Sequence, residues 1–468
     1  MIAPDRAAAG KALIRGRSWW CRQAWLPEGL ASDVRLIAGA DGRFTDVQTG
    51  VGASGQDTQL PGIVLPGFAD AHSHAFHRAL RGRTHSDGGT FWTWRDLMYS
   101  VAAQLDPDSY RALATAVYAE SALAGVTCIG EFHYLHHGPG GTPYDDPNAM
   151  GEALREAAAA AGIRLTLLDA AYLNGGLDAN GHQPLNSVQE RFADADIDTW
   201  AQRSDALQPD PNVRIGVAVH SVRAVPAEHL ARIGEVAAGR PLHVHLSEQP
   251  AENETCQAVY GCSPTELLDR HGLLGPATTA VHATHLTDND IAILGARRVS
   301  VCLCPSTEAD LADGLPPTGP LLAAGVRLCA GSDQHVAADL LAEARGVELH
   351  ERLRTGRRGT VSPAALLNAL TTAGHAALGW PEAGRLEVGA PADLVAIEDS
   401  SPRTAGTEPS QIIMTAGTAD IRTVVVGGAT VVTDGRHVLG DIGKLIDEAL
   451  ALLDEPIGAA PGSVRSGQ

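Results

Sequence analysis

From residue 66 to residue 333 two textures alternate along the chain. Short apolar runs recur: PGFADAHSH, VTCIGEF, IRLTLLDAAY, VRIGVAVH, PLHVHLSEQ, TTAVHATHL, VSVCLCP and VRLCAGSD. Between them lie longer stretches with helical spacing, such as YRALATAVYAESALAG. Continuous apolar runs of this length suit strands buried on both faces. Strand and helix in repeated alternation predict a parallel α/β sheet, and eight strands is the number a closed (β/α)8 barrel needs. The two ends read differently. Roughly the first sixty residues, and the segment from GRLEVGAPADLVAIE through IRTVVVGGATVVTDGRHVLG, are alternating or β-branched runs broken by glycine turns. The expected division is a small β domain from residues 1–65 and 381–468 around a barrel at 66–380. PIGAAPGSVRSGQ at the end reads as a mobile tail.

The polar residues at the ends of these runs change the picture from fold to chemistry. His72, His74, Glu131, His220, His245, Glu248, His282 and Asp333 all sit at or just after an expected strand. In a (β/α)8 barrel that is the catalytic mouth. His72 and His74 are two apart, so a strand points both rings to one face. Singly, a buried histidine is a satisfied core residue and a Ser-Asp is a turn. Together, three histidines and an aspartate suit one divalent cation; mixed N/O ligation fits zinc best, with iron or manganese as alternatives. Such an ion lowers the pKa of water to about 7, which makes the reaction class hydrolysis. Glu248 is spare for proton transfer, His282 for holding developing charge, and Asp333 for both ligation and proton acceptance. The plain alternatives are a helix-start carboxylate for Glu248 and a backbone-bonded ring for His282. His285 is read as the structural member of its pair.

Arg95 (in FWTWRDLMY), Arg223 (in HSVRAV) and Tyr134 (in GEFHYLHH) are candidate anion binders. Two arginines forking onto carboxylates would suit a dicarboxylate; ordinary salt bridging is the commoner fate of an arginine. Trp92 and Trp94 read as pocket walls, core, or a subunit contact.

Composition bounds the partners. The 468 residues are 44% hydrophobic and carry a formal net charge of −20. That disfavours nucleic acid and anionic membrane surfaces, and no run is apolar and long enough to span a bilayer. The N-terminus lacks a continuous apolar segment of the signal-peptide kind. Seven cysteines without CxxC pairing point to a reducing, cytoplasmic compartment, with Cys302 and Cys304 as small buried hydrophobes.

LPGFADAHSHAFHRAL, FWTWRDLMY, GEFHYLHHGPGGTPY, HSVRAV, HVHLSEQ, HATHL, LCPSTEADLADG and GSDQH, in that order between residues 65 and 335, resemble the amidohydrolase superfamily in its mononuclear, deaminase-like branch. Within that branch they are most similar to the formimidoylglutamate deiminase family. The resemblance implies a distorted TIM-like barrel with a β-sandwich built from both chain ends, and one divalent metal ion held by His72, His74, His245 and Asp333. It implies catalytic roles for Glu248, His282 and Asp333. It also implies a small anionic substrate held by His77, Arg95, Tyr134, His220 and Arg223, and a homodimer. Two positions depart from the family pattern: His77 stands where a glutamine is expected, and Asp310 where an asparagine is. An imidazole lacks the amide's paired donor and acceptor. The rival expectations are a deaminase of a purine, pyrimidine or related heterocycle, and a non-catalytic barrel scaffold. The rival heterocycle gives the two arginines little to do; the scaffold would have no need of the ligands.

Overall fold

Eight parallel strands form one sheet, and each follows an apolar run named above. In a computed structural model that describes residues 17–85 and 89–453, they are β1 (Phe68–Ser73), β2 (Val126–His133), β3 (Arg164–Ala171), β4 (Val213–Val219), β5 (Leu242–Leu246), β6 (Thr278–His282), β7 (Ser300–Leu303) and β8 (Arg327–Ala330). They pair in sequence order, β1 to β8, and every residue of β1, β2, β3 and β5 is buried. This is the nearly closed eight-stranded barrel that the resemblance implies. Burial on both faces is why these strands lack the polar alternation of a half-exposed sheet. The barrel closes through a few bonds just past the strand ends. Ser73 bridges Asp333 in parallel register, Asp333 N donates to the His72 carbonyl at 2.9 Å, and His74 N donates to the Asp333 carbonyl at 3.0 Å. Closure and the assembly of the candidate ligands are therefore one event.

The chain ends meet in a second, nine-stranded sheet. Its seam is Ile63–Pro66 against Leu394–Ile397, antiparallel, which joins the two termini directly. Trp19, Val34, Leu36, Phe44 and Leu394 fill its own apolar cluster. The first strand of this sheet is Arg17–Leu26. Residues 1–16 and the tail at 456–468 lie outside the described residues.

A buried ion pair fastens this sheet to the barrel. Arg164 at the start of β3 donates to Asp393 Oδ2, and Asp393 Oδ1 accepts from Gly427 N at 2.7 Å. Their side chains are 7% and 1% exposed. Removing one member strands the other charge in an apolar setting. Asp393→Ala is expected to cost about 3–5 kcal/mol, read as a lower urea midpoint; an unchanged midpoint would show that the pair is not a fastener.

Among the described residues no helix is long and apolar enough to cross a membrane.

Candidate metal centre and substrate cavity

His72 ends up inside the mouth because β1 delivers it there, and His74 follows one residue past the strand. His245 lies in β5 and Asp333 just beyond β8. Four side-chain atoms converge. His72 Nε2 lies 3.2 Å from Asp333 Oδ1 and 3.2 Å from His245 Nε2. His74 Nε2 lies 3.4 Å from each of Asp333 Oδ1 and His245 Nε2. Ligand bonds of about 2.0–2.1 Å around a tetrahedral ion put neighbouring ligand atoms about 3.3 Å apart. These four spacings fit one cation, and His282 joins His72, His245 and Asp333 in a group whose ligand atoms all lie within 4.8 Å of one another.

The tautomers agree. His74 Nδ1 donates to the Phe132 carbonyl at 2.9 Å, and His245 Nδ1 donates to the His220 carbonyl at 2.8 Å. Each Nε2 therefore carries a bare lone pair, and the two lone pairs face one another. Two acceptors cannot hydrogen-bond, but they can share a cation. Burial, reinforced by the neighbouring imidazoles, holds His74 and His245 well below the usual histidine range. Neutral rings are the form a metal binds. Burial alone would raise the Asp333 carboxyl, but hydrogen bonding to His72 and the nearby imidazoles hold it well below its ordinary value.

The backbone here is unusual. Ser247, His282, Ala283, Asp333 and His335 all have positive φ, between 47° and 68°. Non-glycine residues persist in that region only where their surroundings hold them. Gly331 makes room: a Cβ there would stand 2.7 Å from the His72 carbonyl oxygen.

His282 ends β6 among three acids. Its Nε2 faces Glu248 Oε1 at 3.6 Å and Asp333 Oδ2 at 3.9 Å; its Nδ1 faces Glu308 Oε1 at 3.6 Å. Burial opposes protonation of His282, yet Glu248, Glu308 and Asp333 push its pKa up to about 10. Glu248 Oε2 also lies 3.5 Å from Arg223 Nη2. Arg223 Nε stands 3.2 Å from Glu252 Oε2, although the angle makes this a charge contact rather than a hydrogen bond.

A cavity of about 290 Å³ opens over these groups, and its lining includes His74, His245, Glu248, His282 and Asp333. His77, Arg95, Tyr134, His220 and Arg223 line it too. His72 lies beneath. The aromatic block FWTWRDLMY is the first part of a helix, Phe91–Ala102, whose Phe91, Trp94, Met98 and Tyr99 turn inward. Both Trp92 and Trp94 line the cavity; Trp94 is buried and Trp92 is 41% exposed. Arg95 lies with its guanidinium carbon 4.5 Å over the Trp92 ring, and among the described residues no carboxylate pairs with it. His77 Nε2 and the Tyr134 hydroxyl are 2.9 Å apart, and burial lowers the His77 pKa to about 3. Asp310 faces His85 Nε2 at 2.6 Å and accepts from Gln334 Nε2 at 2.9 Å. His285 Nε2 donates to the Asp313 carbonyl at 2.7 Å, a backbone contact outside the cluster.

Several supporting residues were not singled out by sequence. Asp70 accepts from Ser332 N at 2.9 Å and Ser332 Oγ at 2.6 Å, which fixes the approach to Asp333. Burial, against those hydrogen bonds, raises its pKa to about 7. Its place two residues before His72 was the available signal. Glu308 lies within LCPSTEADLADG but has no spacing relation to His282. Glu131, noted only for its place at a strand end, accepts from Ala75 N at 2.7 Å and Ser73 Oγ at 2.9 Å, bracing the turn around His74.

Comparison with known proteins follows the same line. The amidohydrolase family profile matches residues 63–431. The chain belongs to the amidohydrolase family, as a metal-dependent hydrolase acting on C–N bonds. It is 37% identical over 438 residues to formimidoylglutamate deiminase of Pseudomonas aeruginosa, covering 89% of this chain and 95% of that protein. It is 30% identical to 8-oxoguanine deaminase of the same organism, over 82% of this chain and 85% of that protein. An amidohydrolase structure from Brucella melitensis superimposes with a TM-score of 0.87 at 33% identity, over 93% of this chain and 99% of the other.

Proposed function

We infer that this chain hydrolyses N-formimidoyl-L-glutamate to N-formyl-L-glutamate and ammonia, a step of histidine breakdown. The observation that carries this is the pair of arginines in the cavity wall, above all Arg95. A guanidinium with no carboxylate partner among the described residues, lining a cavity beside a metal centre, is an anion site awaiting its anion. The 37% identity to a formimidoylglutamate deiminase supports the same substrate. We propose one divalent ion, zinc, held by His72, His74, His245 and Asp333 within a hydrolase domain at residues 66–380. Seven buried, unpaired cysteines support a reducing, cytoplasmic setting; a homodimer is proposed from the family alone.

When bound, the ion polarises water so that it attacks at neutral pH. The side chains move the protons. Asp333 Oδ2, the oxygen turned toward His282, accepts the proton that the attacking water loses. His282 hydrogen-bonds the incoming oxygen and stabilises the tetrahedral carbon. Glu248 relays the water's protons, the one Asp333 accepted included, to the departing nitrogen, so that ammonia leaves rather than an amide anion and both carboxylates return to their starting state. Arg95, Arg223, Tyr134, His220 and His77 hold the glutamate portion.

The identity to 8-oxoguanine deaminase keeps a heterocycle as the second reading. Arg95→Met separates them, because removing an arginine that has no ion-pair partner among the described residues orphans no described carboxylate. For the diacid, KM is expected to rise about 10- to 100-fold, the worth of a charge-assisted hydrogen bond. An unchanged KM would favour the heterocycle.

A further inference from the structure

Beyond the named anion binders, the cavity wall holds two phenols: Tyr99 on the helix Phe91–Ala102, and Tyr172, the residue after β3. Both are more than nine-tenths buried. Tyr172 packs edge-on against His220, ring centroids 4.6 Å apart, and His220 packs against the candidate ligand His245 at 5.2 Å. The Arg95 guanidinium lies 5.6 Å over the Tyr99 ring. The hydroxyls thus stand beside the arginines, one imidazole layer removed from the metal centre.

Their hydrogens can be counted. Gln189 is 3% exposed, and its Oε1 accepts from Asn186 N at 3.0 Å, which fixes the amide's orientation. Its Nε2 then faces the Tyr99 hydroxyl at 3.0 Å, the Tyr172 hydroxyl at 2.9 Å and the Gly175 carbonyl at 2.8 Å. An amide nitrogen only donates, and its two hydrogens are shared among these three oxygens, so neither phenol gives its own proton to Gln189. Among the described residues no other protein acceptor faces either hydroxyl. Both O–H hydrogens remain for whatever fills the cavity.

We propose that Tyr99 and Tyr172 are substrate-binding residues, whose hydroxyls, aimed by Gln189, complete with Arg95 and Arg223 a cradle for one carboxylate of a diacid. Gln189 is a positioning residue in this arrangement. The cradle rests on the diacid substrate proposed above. It also explains why a glutamine is buried in the one-turn helix Gln189–Arg191: its two amide hydrogens face two phenols and a backbone carbonyl.

The test uses metal-replete, full-length enzyme with Tyr99→Phe, Tyr172→Phe and Gln189→Met. Two readouts are taken: kinetics on formimidoylglutamate, and calorimetric binding of glutarate, a diacid that cannot react. Each Phe variant is expected to raise KM about tenfold or more, with kcat nearly unchanged and glutarate binding weakened alike. Gln189→Met should reproduce the pattern, since it leaves both phenols in place but unaimed. If wild-type enzyme turns over formimidoylglutamate and the Phe variants match it in KM and glutarate affinity, the cradle is wrong while the deiminase stands. If wild-type enzyme releases no ammonia yet binds glutarate in a Tyr-dependent way, the deiminase is wrong while the cradle stands. Glutarate that fails to bind wild-type enzyme, with KM unmoved in the variants, overturns the cradle as well.

Discussion

Replacing His245 with alanine is expected to strip the protein of its divalent ion and lower ammonia release by about 10³-fold or more. A catalytic cation supplies several kcal/mol of transition-state stabilisation, and each 1.36 kcal/mol is tenfold in rate. His245 is the sharpest choice because of its surroundings. Its Nδ1–H is committed to the His220 carbonyl, so its Nε2 has no role except as a lone pair facing His74 and His72. Removing the ring deletes a ligand and little else. The fold should survive, because closure runs through the backbone of His72, His74 and Asp333 rather than through this side chain. Elemental analysis, turnover and thermal unfolding would be measured together. A folded variant that keeps both its metal and its turnover would remove His245 from the ligand set.

Glu248→Gln should behave differently. The amide keeps the size and one acceptor oxygen but cannot ferry a proton. The expected loss is about 10²–10⁴-fold in kcat, the usual worth of a placed acid–base group, with metal content retained. Geometry supports the separation: Glu248 contacts His282 at 3.6 Å and Arg223 at 3.5 Å, not the ligand cluster. Unimpaired turnover by a metal-replete variant would leave proton delivery to another group. Loss of metal would instead make Glu248 part of the ligand field.

These two substitutions probe what was legible in the sequence and what was not. The eight barrel strands were visible because a strand buried on both faces must be a short, continuous apolar run. The chemistry was visible because a barrel puts polar residues at the ends of those runs, where a solvated turn alone would not need three histidines. The barrel's closing bond between Ser73 and Asp333 was hidden, since it joins positions 260 apart and leaves no periodic trace. The braces were hidden for the same reason. Glu308 beside His282, and Gln189 beneath Tyr99 and Tyr172, sit on two short helices whose local sequences say only where the backbone turns. At the remaining departure from the family pattern, His77 meets Tyr134, so its imidazole is engaged with a partner already on the cavity wall.

Ammonia release by purified, metal-replete enzyme is the most direct measurement, on formimidoylglutamate, formimidoylaspartate, guanine and cytosine in parallel. A diacid cavity over a hydrolytic metal centre predicts rapid release from formimidoylglutamate, less from the shorter diacid and none from the bases. Release from guanine or cytosine with none from either diacid would contradict it.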